Sequence, residues 1–448
     1  MASLVNNCLF NPTTGGTTDW TVSTAVTGYM TPSAAGAING ATYKYRAESS
    51  DLTQWEYGQG VWNATTGVLS RTSVLQNSAG TTSKINFTAA PFVGIVHGKE
   101  DLREYLTGNR SYFVSPNGVD SNSGQETGTA TVTFTNGSPN IGWTAHGKSV
   151  GEVFYLTTGG TLPTNFAAPT STASNLVFVK TVVDVNTITV AATSGGSDIT
   201  AGSAGSGTHT AHAVSPFLTV QKAIDVVASL DCSIYNVTTY VAAGTYAGGL
   251  AAGGCTLKQV LGSGTMAIIG AGSTTIFSDT TSNGGIWAAS CGSWTINGIK
   301  ITSTYWGLFA AGGTTNLTMT AVEFGACTTG SMSLVTGARL RIYYYTISGG
   351  GAYHISVDQA FFTCVSVTVT LTGSPVFSTA FARVSNLGYA TFEAVTFSGS
   401  AGATTPRYTV TDHGVIYVAG AGTTFLPGTA AHGTPGTNAG ASPYGLYR

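Results

Sequence analysis

Acid–base chemistry of the glycosidase or lyase type needs two carboxylates facing one bond, or a carboxylate working with a metal or an Arg or Lys base. Residues 213–448 offer seven: Asp225, Asp231, Asp279, Glu323, Asp358, Glu393 and Asp412. Arg339 and Arg341 flank Leu340, so a strand there places two guanidinium groups on one face, and His354 and Asp358 follow soon after. That cluster reads either as a contact for a sugar acid or surface polysaccharide, or as a lateral salt bridge between coils or subunits. His413 beside Asp412 is compatible with an acid–base pair. His146, His209 and His212 carry no HxH or HxxxH spacing and no nearby Cys, so no metal and no cofactor is expected.

Aromatic residues supply a second signal. Tyr345 is expected to point inward, Tyr343 and Tyr344 fall at a bend, and Tyr305-Trp306 and Phe361-Phe362 are expected in loops or turns. Exposed rings serve either as sugar-stacking platforms or as packing between subunits. Candidate receptor contacts are therefore Tyr305, Trp306, Arg339, Arg341, Tyr343 and His354. Glu323, Arg341 and Asp358 are the candidates if the chain is catalytic.

The elements that position these groups follow from composition. Only 8% of the 448 residues are charged, against 73 Thr and 60 Gly. A soluble domain normally carries about a quarter charged residues, and helix surfaces are built from them. A mostly helical protein is excluded; Thr, Val, Tyr and Phe with Gly turns demand an all-β architecture. The net charge of −2, without a basic stripe, removes the footprint of a nucleic-acid binder. No apolar run reaches the roughly 18 residues of a membrane span, and the N-terminus lacks a basic-then-apolar leader, so neither membrane insertion nor a signal peptide is expected. Cys8, Cys232, Cys255, Cys291, Cys327 and Cys364 lie far apart and read as buried free thiols.

Along the chain, residues 1–98 read as a small β-domain of short antiparallel strands, with Lys99 to Leu106 a short helix or linker. Within it, Trp55, Tyr57, Trp62 and Arg71 are candidates for docking on a larger particle. Residues 99–125 form a linker and the first strand of the next fold. Residues 126–212 alternate apolar and polar positions and read as an inserted β-sandwich or barrel. The apolar positions 217, 220, 223, 224 and 227 predict a helix, with Ser215 as N-cap and Pro216 at its first position. Residues 213–407 comprise this helix and a repeat, and 408–448 form a Gly/Pro-rich tail that loses the period.

The repeat is visible in Trp294–Ile301, Leu317–Phe324 and Leu340–Ile347, which align without gaps at steps of 23 residues. Residues 390–397 fit again about two periods later, whereas Val365-Ser366-Val367-Thr368-Val369 does not align. A fixed period with strand chemistry signals a solenoid, here a right-handed parallel β-helix of about 23 residues per coil, with the helix as its cap. In that frame Glu323 and Glu393 occupy different columns about three coils apart, at some 4.8 Å per coil, outside the roughly 5–9.5 Å window of a glycosidase pair.

Three segments together resemble the opening of pectate-lyase-like β-helix proteins: Tyr112–Gly124 (YFVSPNGVDSNSG), Pro216–Ile224 (PFLTVQKAI) and Tyr240–Tyr246 (YVAAGTY). The run around Trp55-Glu56-Tyr57-Gly58 and Leu69-Ser70-Arg71, and the insert with His146–Val153 and Gly205–Thr210, resemble modules that recur in bacteriophage structural proteins. The resemblance implies a tail spike, tail fibre or capsid-attached fibre: a homotrimeric virion protein, docked through its N-terminal domain, that attaches to host-surface polysaccharide. A depolymerase on the same scaffold and a decoration protein without a receptor are the other readings it allows.

Overall fold

The structure is a computed structural model that describes residues 5–96, 104–166, 176–247, 255–280, 284–402, 405–428 and 445–447. The chain divides into two compact units, Met1–Glu104 and Tyr105–Arg448. Most of the Lys99–Leu106 stretch, and residues 429–444 of the 408–448 tail, lie outside the described residues.

In the first unit, seven strands between Leu9 and Ile95 form a sheet that pairing of Thr42–Glu48 with Trp55–Asn63 closes on itself. Its interior holds Phe10, Trp20, Tyr43, Tyr45, Trp62, Leu69 and Phe87. Gly60 sits where the strand Trp55–Asn63 passes the Ser70 carbonyl so closely that any Cβ would collide with it.

In the second unit, Arg110–Val114 opens a stack of parallel coils. The six strands between Glu126 and Val214 then form a closed antiparallel barrel around Val132, Ile141, Trp143, Phe154 and Ile188. Between them, the turn 115–124 folds over Phe217, and side chains at Gly118 and Gly124 would strike the Phe217 carbonyl and ring. Asp120 in this turn accepts hydrogen bonds from the backbone N–H groups of Leu218 and Thr219 and from the Thr219 hydroxyl, each at 2.9 Å.

That clamp moves the helix start. The helix is Val220–Ala228, capped by Thr219, whose hydroxyl accepts from the Lys222 N–H, and not by Ser215 with Pro216 in the first turn. Phe217 lies outside the helix and bridges to Val114. Val220, Ala223, Ile224 and Val227 are buried over the first coils. Asp120→Ala is expected to cost about 1–2 kcal/mol, since it frees two N–H groups at a helix start. A lower urea midpoint with an unchanged slope would show it.

The coils form a right-handed parallel β-helix of three sheets, with ten strands in the first and seven in each of the others. Trp294, Leu317 and Leu340 stack in register, as do Ile296, Met319 and Ile342. In the first sheet the strands Ser293–Asn297, Asn316–Thr320 and Arg339–Tyr343 alternate, sending one residue into the shared core and the next outward. Beyond Leu340 the coil length varies: Leu340 stacks on Phe362 and Phe362 on Ala390, one step a residue shorter than the period at 22 and the next longer at 28. The corner at Ser366, at φ 54°, and the turn 372–376 absorb the change. Pairing also continues past 407, through Tyr408–Val410 and Val415–Tyr417, with Leu446–Tyr447 added last. All six cysteines are free and buried; burial pushes the thiols of Cys255, Cys327 and Cys364 up to about 12. No helix among the described residues is long and apolar enough to cross a membrane.

Candidate functional site

In the strand Arg339–Tyr343, Leu340 and Ile342 are buried in the core, so Arg339 and Arg341 project from the outer face of the first sheet. Parallel pairing places Asn316 and Thr318 beside them on the preceding coil and Phe361 and Thr363 on the following one. These six residues line a surface concavity of about 560 Å³. Phe361 is 46% exposed, and the Arg339 guanidinium lies 5.4 Å from its ring centroid. Phe361 and Phe362 thus belong to a strand, Phe361–Val365, and not to a loop. Among the described residues neither guanidinium has an ion-pair partner, so no lateral salt bridge joins them to a neighbouring described coil.

The carboxylates are elsewhere. Glu323, on the second sheet, takes Lys300 Nζ at 2.6 Å and a hydrogen bond from Ser348 Oγ. Asp358 ends a strand of the third sheet and accepts from Ser385 Oγ at 3.1 Å and Asn386 Nδ2 at 2.8 Å. Glu323, Arg341 and Asp358 therefore stand on three different sheets and do not converge. Glu393 lies on the first sheet, three coils beyond Glu323. Asp412 and His413 form a turn with φ of 50° and 61°.

Two receptor candidates are internal. His354 is fully buried among Phe324, Phe377 and Phe381; its Nε2 lies 2.9 Å from the Tyr345 hydroxyl and the two rings stack. Burial holds its imidazole down to about 3, so it is neutral and has no access to a surface ligand. The alternation rule misplaces it because the pairing of Gly351–Asp358 with Phe377–Ser385 is irregular, and His354 and Ile355 both turn inward. Trp306 is 7% exposed and stacks on Tyr353, next to Tyr305 and away from the arginines. Tyr343 is half-buried against the core, while Tyr344 is exposed.

In the first unit, Trp62 and Arg71 are core residues, not docking residues. Arg71 donates to Glu56 through Nε at 2.8 Å and again through Nη2, and to the carbonyls of Gly16, Thr18 and Ile85. Glu56 also accepts from the Tyr45 hydroxyl and the Ile85 N–H, each at 2.7 Å. Trp55 and Tyr57 are half-buried, Trp55 beneath Arg46. In the barrel the three histidines are held separately: His146 by the Asp184 carbonyl, His209 by that of Ala204, His212 by Thr157 and stacking on Tyr155.

No family model matches the chain, and no curated protein matches it. Among solved structures, it is similar to the tailspike protein gp49 from Pseudomonas phage LKA1, at 12% identity and a TM-score of 0.21, covering 74% of this chain and 71% of that one. It is also similar to the Gp54 tailspike of Acinetobacter baumannii bacteriophage AP22, determined in complex with A. baumannii capsular saccharide. There the identity is 10% and the TM-score 0.18, with 70% of this chain and 68% of that one covered.

Proposed function

We propose that this chain is a bacteriophage virion protein, a tail spike or fibre that assembles as a homotrimer and attaches the particle to host-surface polysaccharide. The observation that carries this reading is the outer face of the first sheet, where guanidinium groups, an exposed ring and short hydroxyl and amide side chains follow one another on a continuous stack. Such a face can bind along a repeating polymer, and three copies multiply weak contacts through avidity. The resemblance of the segments around 55–58, 69–71, 146–153 and 205–210 to phage structural modules supports the reading independently, while the motifs at 112–124, 216–224 and 240–246 support the β-helix scaffold alone. The first unit serves as the particle-docking domain, with Trp55 and Tyr57 as its contact candidates.

Purified full-length chain is expected to sediment as a trimer and to block adsorption of the phage that encodes it. Antibodies against the chain are expected to label intact particles. A monomer that neither blocks adsorption nor is found on particles would contradict the proposal.

A further inference from the structure

Lys258 and Lys300 of the β-helix are matched by Asp225 at 2.7 Å and Glu323 at 2.6 Å. Arg407 donates to the carbonyls of Thr424 and Leu426. Arg339 and Arg341 have no ion-pair partner among the described residues and, unlike the separately placed Lys222 and Arg383, stand side by side. They occupy alternate positions of one strand, about 6.6 Å apart along it, and like charges so placed repel. The nearest acid on the same face of the sheet is Glu393, two coils on and so about 9.6 Å along the axis. Two like charges share one concavity with no ion-pair partner among the described residues, and one of them is already oriented.

The orientation comes from Phe361. A guanidinium lying over an aromatic ring keeps its face occupied while its N–H donors, which lie in the guanidinium plane, remain free for a planar anion. The uncovered part of the ring is a platform for the apolar face of a sugar. Asn316, Thr318 and Thr363 supply amide and hydroxyl groups at the distance of the neighbouring coils.

From this we infer that the first-sheet concavity is a binding site for a carboxylated saccharide, a uronic-acid-type sugar whose carboxylate is taken by Arg339 and Arg341 while its ring rests on Phe361. The inference rests on the attachment role and narrows it to acidic glycans. A carboxylate presents two coplanar oxygens that match the guanidinium fork bidentately.

The test uses the full chain and biolayer interferometry against immobilised polygalacturonate, dextran sulfate and neutral dextran. Polygalacturonate is expected to bind and dextran not. Arg339→Ala and Arg341→Ala are each expected to weaken binding by about tenfold or more, and the double variant to abolish it, since charge-assisted bonds are the stronger kind. Both side chains are exposed, so thermal midpoints are expected to stay unchanged. Undiminished polygalacturonate binding by the double variant would overturn the inference, as would binding of dextran sulfate alone. A changed sedimentation coefficient of the double variant would overturn it too, because the arginines would then hold a second copy of the chain. A panel of purified bacterial surface polysaccharides separates the two claims. Attachment to neutral ones, unaffected by the double variant, removes the acidic specificity and leaves the attachment role; attachment to none removes both.

Discussion

Replacing Arg71 by Met is expected to lower the unfolding temperature of the first unit by at least about 12 °C, because it strands a buried carboxylate. Glu56 is fully buried, and its two oxygens are satisfied only by Arg71, Tyr45 and the Ile85 N–H. Removing one partner of a buried pair costs about 3–5 kcal/mol, and a domain of this size shifts by about 4–8 °C per kcal/mol. Three carbonyls, of Gly16, Thr18 and Ile85, lose their donor at the same time. Arg71 also lies 4.3 Å from the Trp20 ring centroid, so the long Met side chain keeps part of that packing. The double variant Arg71→Met with Glu56→Leu is expected to regain part of the loss, since no charge is then buried. Differential scanning calorimetry of the full chain resolves the transition, and a shift of only a few degrees in the single variant would contradict this account of the unit.

The second large effect concerns acid. His354 is neutral when folded, held down to about 3, and titrates near 6.5 when unfolded. The unfolded state therefore binds the extra proton, and the contribution of this site to stability is fully present above pH 6.5. It is lost as pH falls towards the folded value, by about 4 kcal/mol at pH 3.5. The surrounding groups, Phe324, Phe377, Phe381 and a Tyr345 hydroxyl whose own pKa burial raises, offer no counter-charge to an imidazolium. His354→Gln removes the titration while leaving an amide for Tyr345. It is expected to be less stable than the parent at pH 7.5, with that deficit shrinking as pH falls from 6.5 to 3.5. Parallel denaturant titrations across that range measure it; a deficit independent of pH would refute the assignment.

The same residues show what a sequence displays and what it hides. The stacking of Trp294, Leu317 and Leu340 was readable because those coils have equal length, and outward Arg339 and Arg341 followed from alternation around Leu340. Phe361 reads as a loop or turn residue in the sequence because its coil is shorter by one residue, which breaks the column just where the site is completed. Nothing in the sequence near His354 marks it as internal, because the local irregularity that turns it and Ile355 inward leaves no periodic signal. Residue type alone makes Arg71 a surface cation; its counter-ion, Glu56, lies on the strand Trp55–Asn63 and becomes visible only with the fold. The helix start moved because Asp120, about a hundred residues earlier, satisfies N–H groups that local capping rules assign to Ser215. Sequence periodicity thus reports regular stacking well, and long-range polar partners poorly.

The attachment account is tested most directly by a cryo-EM map of the assembled full-length protein. The account predicts three copies bundled about one axis with the Arg339, Arg341 and Phe361 face open to solvent on each. A map in which that face is sealed between copies, or in which the chain stands alone, would contradict it.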